Sequence, residues 1–129
     1  MCPIIVPFTS NELGRVIFRA NIMTGNRRSF EPVDFKLDSG SDFTTISCED
    51  LDSLGYDEEY LRSCKIHGTA YTATAGAVNL QYIENVSIKF GDRELQNCRI
   101  FFALGSDLHT LFGSDILKYM TIQTAHNMV

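Results

Sequence analysis

The 129-residue sequence predicts a small, mostly β domain, closed or sandwich-like, with one or two short helices. Three observations carry that expectation. Several stretches alternate apolar and polar residues, which is the period of a half-buried strand. Val16, Phe18, Ala20 and Ile22 share one face of residues 15–23, and Val86, Ile88 and Phe90 share one face of residues 86–90. Clusters of turn-forming residues, such as Thr24-Gly25-Asn26 and Gly91-Asp92, punctuate those stretches. Helix signals are confined to short segments. The length suffices for one core and is too small for two, so residues 1–129 are read as a single domain.

In chain order, the apolar residues 1–8 read as a terminal strand. Residues 15–23 form a strand, residues 24–28 a turn, and residues 30–37 the returning strand, with Pro32 early, where a sheet tolerates it. Ser47 can cap a short helix through Leu54, with Glu49 and Asp50 in the first turn, where negative charge suits the helix dipole. Gly55 ends that helix. Residues 56–62 are acidic and fit one more helical turn; residues 64–67 are extended. Residues 68–77 are small, Thr-rich, uncharged and glycine-flanked. That composition suits a mobile hairpin lying over a ligand backbone, and its plainer reading is a flexible surface hairpin. Residues 78–82 and 86–90 read as two strands, and residues 95–103 as another. Residues 114–120 are a further short helix, capped by Ser114 or Asp115. The tail, residues 121–129, reads as a terminal strand.

Composition narrows the function classes. Apolar residues make up 44% and charged residues 21%, ordinary values for a globular domain. The net charge of −5 and the scatter of the eleven basic residues argue against nucleic acid as a partner. No apolar run approaches the roughly 20 residues that span a membrane. The first eight residues lack the length and basic start of a secretory signal, so a cytoplasmic location is expected. Cys2, Cys48, Cys64 and Cys98 form no CxxC pair and are expected to be reduced. Cys64 and His67 have no second pair at zinc spacing, so no metal is expected.

The chemistry concentrates in Phe35-Lys36-Leu37-Asp38-Ser39-Gly40-Ser41-Asp42-Phe43-Thr44-Thr45-Ile46. This stretch reads as a strand entering a tight turn and leaving as a second extended piece. Asp38 sits at the turn, where backbone geometry holds its carboxylate. A carboxylate that works with a partner at fixed distance needs that placement. Asp-Ser-Gly by itself can be an ordinary turn, since all three residues favour turns. A calcium loop is disfavoured because the closing Glu is absent, and a serine nucleophile because no GxSxG elbow occurs.

Two further features follow in order, the small-residue hairpin and the Leu111-Phe112-Gly113 turn that opens a helix. Together with the first they carry a resemblance. The stretch from Asp38 to Ile46 resembles the active-site signature of the retropepsin-like aspartic proteases. Leu111-Phe112-Gly113-Ser114-Asp115-Ile116-Leu117 resembles that family's second motif, and the similarity spans about residues 16–124. The resemblance implies a retropepsin-like closed β fold, one lobe per chain, and an aspartic endopeptidase activity. Peptide hydrolysis by this route uses two carboxylates and a water. The chain carries only one Asp-Ser-Gly: Asp107 and Asp115 follow Ser but do not precede Gly. The resemblance therefore implies a homodimer with Asp38 from each copy in the dyad, and the two chain ends as dimer strands.

By the same resemblance, Ser39 holds the dyad across the two-fold axis, Gly40 offers its carbonyl to the substrate, and Gly113 packs behind the turn. Asp42 binds substrate backbone or steadies the dimer. Phe43, Thr45 and Leu111 line subsites. Residues 72–77 form the flap, with Thr74, Ala75 and Gly76 against an extended peptide substrate. No cofactor or metal is implied. The chain departs from viral members at Ser114, where they often carry an Arg paired with the acidic residue of the first motif. The flap also lacks their several glycines. A reading from another class is a peptide-binding or dimerisation module that kept the fold and lost efficient catalysis.

Overall fold

In a computed structural model that describes residues 4–10, 16–24, 29–72 and 76–124, eight strands and three short helices follow one another. They are β1 (Ile4–Ser10), β2 (Val16–Met23), β3 (Glu31–Leu37), α1 (Cys48–Ser53), α2 (Glu58–Ser63), β4 (Lys65–Thr72), β5 (Gly76–Phe90), β6 (Arg93–Phe102), β7 (Leu111–Phe112), α3 (Ser114–Leu117) and β8 (Met120–Thr124). No helix among the described residues is long and apolar enough to cross a membrane.

The strand β2 is the hub. It pairs antiparallel with β3, Phe18 opposite Phe35, and antiparallel with β5, Ile22 opposite Ile88. The strand β3 continues into a parallel pair with β7, Leu37 opposite Phe112. Thr45 then bridges to Leu111 on one side and to Phe101 of β6 on the other. Its N–H donates to Leu111 O at 3.0 Å, Leu111 N–H donates back at 3.0 Å, and Ile46 N–H donates to Phe101 O at 2.9 Å. Because β6 pairs with β5, these bonds complete a hydrogen-bonded ring from β2 through β3, β7, Thr45, β6 and β5 back to β2. The strands β1 and β8 pair in parallel with each other, Ile4 opposite Met120 through Phe8 opposite Thr124.

Two apolar clusters fill the fold. The larger takes the alternating faces of β2, β3, β5 and β6 together with Leu51, Leu61 and Ile116 from the helices. At its centre the Phe35 and Phe112 rings stack at 4.0 Å. The smaller cluster, of Val78, Leu80, Phe101, Ala103 and Leu108, lies beside Phe43 and Ala70.

Several elements differ from expectation, each for a local reason. Residues 78–82 and 86–90 belong to one fifteen-residue strand, β5. The buried face changes phase from Val78 and Leu80 to Ile83 and then Val86, where the register shifts and Asn85 adopts φ 59°. That break in alternation mimics a strand end. Residues 64–67 likewise run on into β4. Three helices form, the helical turn expected within residues 56–62 among them. Asp57 caps α2 by accepting from Tyr60 N–H at 2.7 Å. Ser47 caps α1 as expected, accepting from Asp50 N–H at 3.0 Å, and Gly55 follows with φ 83°. The helix α3 stops at Leu117 and is capped by neither Ser114 nor Asp115. Gly113 occupies the cap position and has no side chain to bond, and the Asp115 carboxylate is engaged elsewhere.

Candidate active site

Asp38 is the first residue after β3, and its backbone is pinned by the strand pair beneath it: Asp38 N–H donates to Phe112 O at 3.0 Å. The turn closes through Ser41 N–H to Asp38 O at 3.1 Å, and Gly40 N–H donates to Asp38 Oδ1 at 3.0 Å. Asp38, Ser39 and Gly40 are all exposed. The carboxylate is thus oriented by its own turn and open on its outer side.

The second motif supports this turn from behind. A Cβ on Gly113 would lie 2.5 Å from Phe43 O and 2.7 Å from Ser41 O, so only glycine lets the two backbones approach this closely. Ser114 contributes its backbone, with N–H donating to Ser41 O at 2.7 Å. Thr44, wholly buried, donates its hydroxyl to Asp115 Oδ1 at 2.7 Å and its N–H to Asp115 Oδ2 at 3.0 Å. Its oxygen accepts from Gly113 N–H at 3.1 Å. Nearby, burial and then the Asp115 charge push the Cys98 thiol up to about 11.

Above the turn lies a cleft of about 610 Å³. Of the residues predicted from sequence, Asp38, Gly40, Asp42, Phe43, Thr45 and Leu111 line it together. Ser39 is in the exposed turn but does not line it, and Gly113 lies behind it. Gly76 opens β5 with φ 68° and is not among the lining residues either. Thr74 and Ala75 lie outside the described residues. Phe43 is braced by the Phe101 and His67 rings at 4.7 and 4.9 Å. The Thr45 hydroxyl donates to His109 O at 2.6 Å, so its proton is committed to the backbone.

The sequence reading missed Lys36, Tyr71, Leu108 and His109 in the lining. Tyr71 had a signal, as the one large side chain in a small-residue hairpin, and it is 86% exposed over the cleft. His109 had none, because it meets Lys36 only through the fold. Lys36 Nζ lies 2.8 Å from His109 Nδ1.

Residues 22–116 match the sequence model of a family described as aspartyl protease. The chain belongs to the aspartyl protease family. Its fold is retropepsin-like. The chain superposes on a retropepsin-like aspartic protease from Rickettsia conorii with a TM-score of 0.62 at 28% identity, over 88% of this chain and 86% of that one. EIAV protease complexed with the inhibitor HBY-793 matches with a TM-score of 0.53 at 23% identity, over 85% of this chain and 91% of that one, a likeness of fold alone. No curated protein matches the sequence.

Proposed function

We propose that the protein is an aspartic endopeptidase acting as a homodimer, with Asp38 of each copy in one dyad. The observation that carries this reading is the placement of Asp38. Its carboxylate is fixed by Gly40 N–H and exposed on the floor of a cleft beneath the β4–β5 hairpin. One carboxylate takes a proton from water as the oxygen attacks the peptide carbonyl carbon. The other protonates the carbonyl oxygen. The carboxyl that took the water's proton gives it to the leaving nitrogen as the C–N bond breaks, and a hydroxyl of the diol returns its proton to the other carboxylate as the carbonyl re-forms. Two like charges about 3 Å apart cannot both ionise, so the pair holds one proton and activity peaks on the acidic side of neutral. The chain has one Asp-Ser-Gly, so a second copy must supply the other carboxylate, through an isologous interface. The peptide lies extended between hairpin and floor, against Phe43, Thr45 and Leu111. The free thiols of Cys48, Cys64 and Cys98 support a cytoplasmic setting.

The test is cleavage of a diverse peptide library by the wild type and by Asp38→Asn, from acid to neutral pH. The substitution is nearly isosteric, so the fold is retained. Cleavage by the wild type alone, with an acidic optimum, is the expected result. A folded dimer that cuts nothing in either form would overturn the reading in favour of a peptide-binding module, and cleavage with a flat pH profile would count against the shared-proton dyad.

A further inference from the structure

Residues 44 and 115 come from motifs 71 positions apart, yet side chains join them directly. We propose that Asp115 is a positioning residue of the active site: its carboxylate holds Thr44, and through Thr44 it fixes the turn carrying Asp38 within a single chain. This rests on the reading of Asp38 as the catalytic aspartate.

The hydrogen bonds can run only one way. Thr44 has one hydroxyl proton, and a carboxylate only accepts, so that proton goes to Asp115 Oδ1 at 2.7 Å. The lone pairs of Thr44 Oγ1 then receive Gly113 N–H at 3.1 Å. The second carboxylate oxygen receives Thr44 N–H at 3.0 Å. Both oxygens are therefore spent on one residue in charge-assisted bonds, and this residue directly follows the Asp38–Phe43 turn. The clamp acts where the backbones are closest: Ser114 N–H meets Ser41 O at 2.7 Å, and Gly113 lies against Phe43 O. Lengthening the Thr44 contact would let the 41–43 backbone lift from Gly113. Ser41 O and Asp38 O belong to the same turn, because Ser41 N–H donates to Asp38 O at 3.1 Å. A shift at Thr44 thereby reaches the Asp38 backbone. An ordinary helix cap would have bonded the amides of α3. This carboxylate instead bonds an amide and a hydroxyl outside the helix, so helix capping does not account for it.

The experiment compares Asp115→Ala, Asp115→Asn, Thr44→Val and Thr44→Ser in the full chain, by kinetics and by site-resolved amide exchange. Thr44→Val keeps the volume and removes the hydroxyl; Thr44→Ser keeps the hydroxyl. In Asp115→Ala and Thr44→Val, kcat falls about a hundredfold while KM changes by less than about threefold, because placement of Asp38 rather than peptide binding is lost. Asp115→Asn, which keeps one acceptor oxygen, falls between them and the wild type. Thr44→Ser recovers most of kcat. The Thr44 and Gly113 amides exchange at least about tenfold faster in Asp115→Ala, while Ile88 in the core keeps its protection.

A Thr44→Val variant that keeps wild-type kcat while Thr44→Ser loses it would overturn the proposal, since side-chain volume would then matter and the hydroxyl would not. So would a folded Asp115→Ala with wild-type kcat and wild-type exchange at Thr44. If Asp115→Ala does not fold, the Thr44 pair decides. If the wild type cleaves no peptide, the endopeptidase reading fails on its own, and amide exchange alone decides the clamp.

Discussion

Gly113 shows how one absent side chain constrains the site. A Cβ there would meet Phe43 O at 2.5 Å, Phe43 C at 2.6 Å and Ser41 O at 2.7 Å. All three are backbone atoms, held by the Ser114 to Ser41 bond and by the Ser41 hydroxyl donating to Phe43 O at 2.9 Å. No flexible side chain can give way. Gly113→Ala should therefore cost about 1–3 kcal/mol of stability, in the range of an overpacked core. It should also lower activity more than stability, because the displaced backbone carries Asp38. Denaturant unfolding together with kcat on the folded fraction checks both. A stable variant with full activity would show that the turn relaxes without moving its carboxylate.

At the level of elements, the parts that were legible in the sequence are those whose signal is local. The alternation of Phe18, Ala20 and Ile22 is a property of β2 alone, and the Ser47 cap needs only its own next three residues. The parts that were not legible depend on distant partners or on a break in pattern. The strand β5 read as two because Asn85 and the register shift interrupt its period. Asp115 read as a helix cap because nothing near it announces Thr44. His109 and Lys36 are 73 positions apart and meet only after β7 is laid beside β3. The turn at Asp38 was legible because Asp38, Ser39 and Gly40 make a compact motif, and the close approach of Gly113 was signalled by the second motif.

The β4–β5 hairpin yields a prediction at the same scale. Tyr71 is 86% exposed yet lines the cleft, so in the free chain its ring packs on little. Removing it should change stability by no more than about 0.5 kcal/mol, as for a surface substitution. A peptide lying under the hairpin would cover the ring, and the lost contact would then appear in binding. Tyr71→Ala should raise KM severalfold while Tm stays put; an unchanged KM would place the peptide away from this part of the hairpin. The exposed Lys65–Glu84 pair, 2.8 Å apart, links the same two strands. Its Lys65 hydrogen bond holds the Glu84 carboxyl below the usual range. A carboxyl with a lowered folded pKa adds stability above its unfolded pKa and loses it as pH falls through the folded one. The pair's contribution to the hairpin stem should accordingly fade as pH drops through the Glu84 folded pKa, which amide exchange in the stem checks.

Across the whole molecule, the decisive question is whether one chain or two make the catalytic unit. The ring of strands closes within one chain, and the clamp between Thr44 and Asp115 is internal to it. The turn geometry is thus made by bonds within one chain, whereas the proposed dyad needs a second copy. This separation allows a mixing experiment. Asp38→Asn should fold, pair with the wild type and poison it, because a mixed dimer has only one ionisable group at its axis. With free exchange at equal concentrations, a quarter of the dimers are wild type on both sides. Activity per wild-type chain should then fall to about half, and an excess of the variant should drive it toward zero. Dilution of the wild type alone should lower its specific activity in step with dimer loss measured by light scattering. A wild type indifferent to both dilution and excess Asp38→Asn would mean that a single chain completes the site. The second acid would then have to be sought in the same cleft, where Asp42 is the carboxylate within reach.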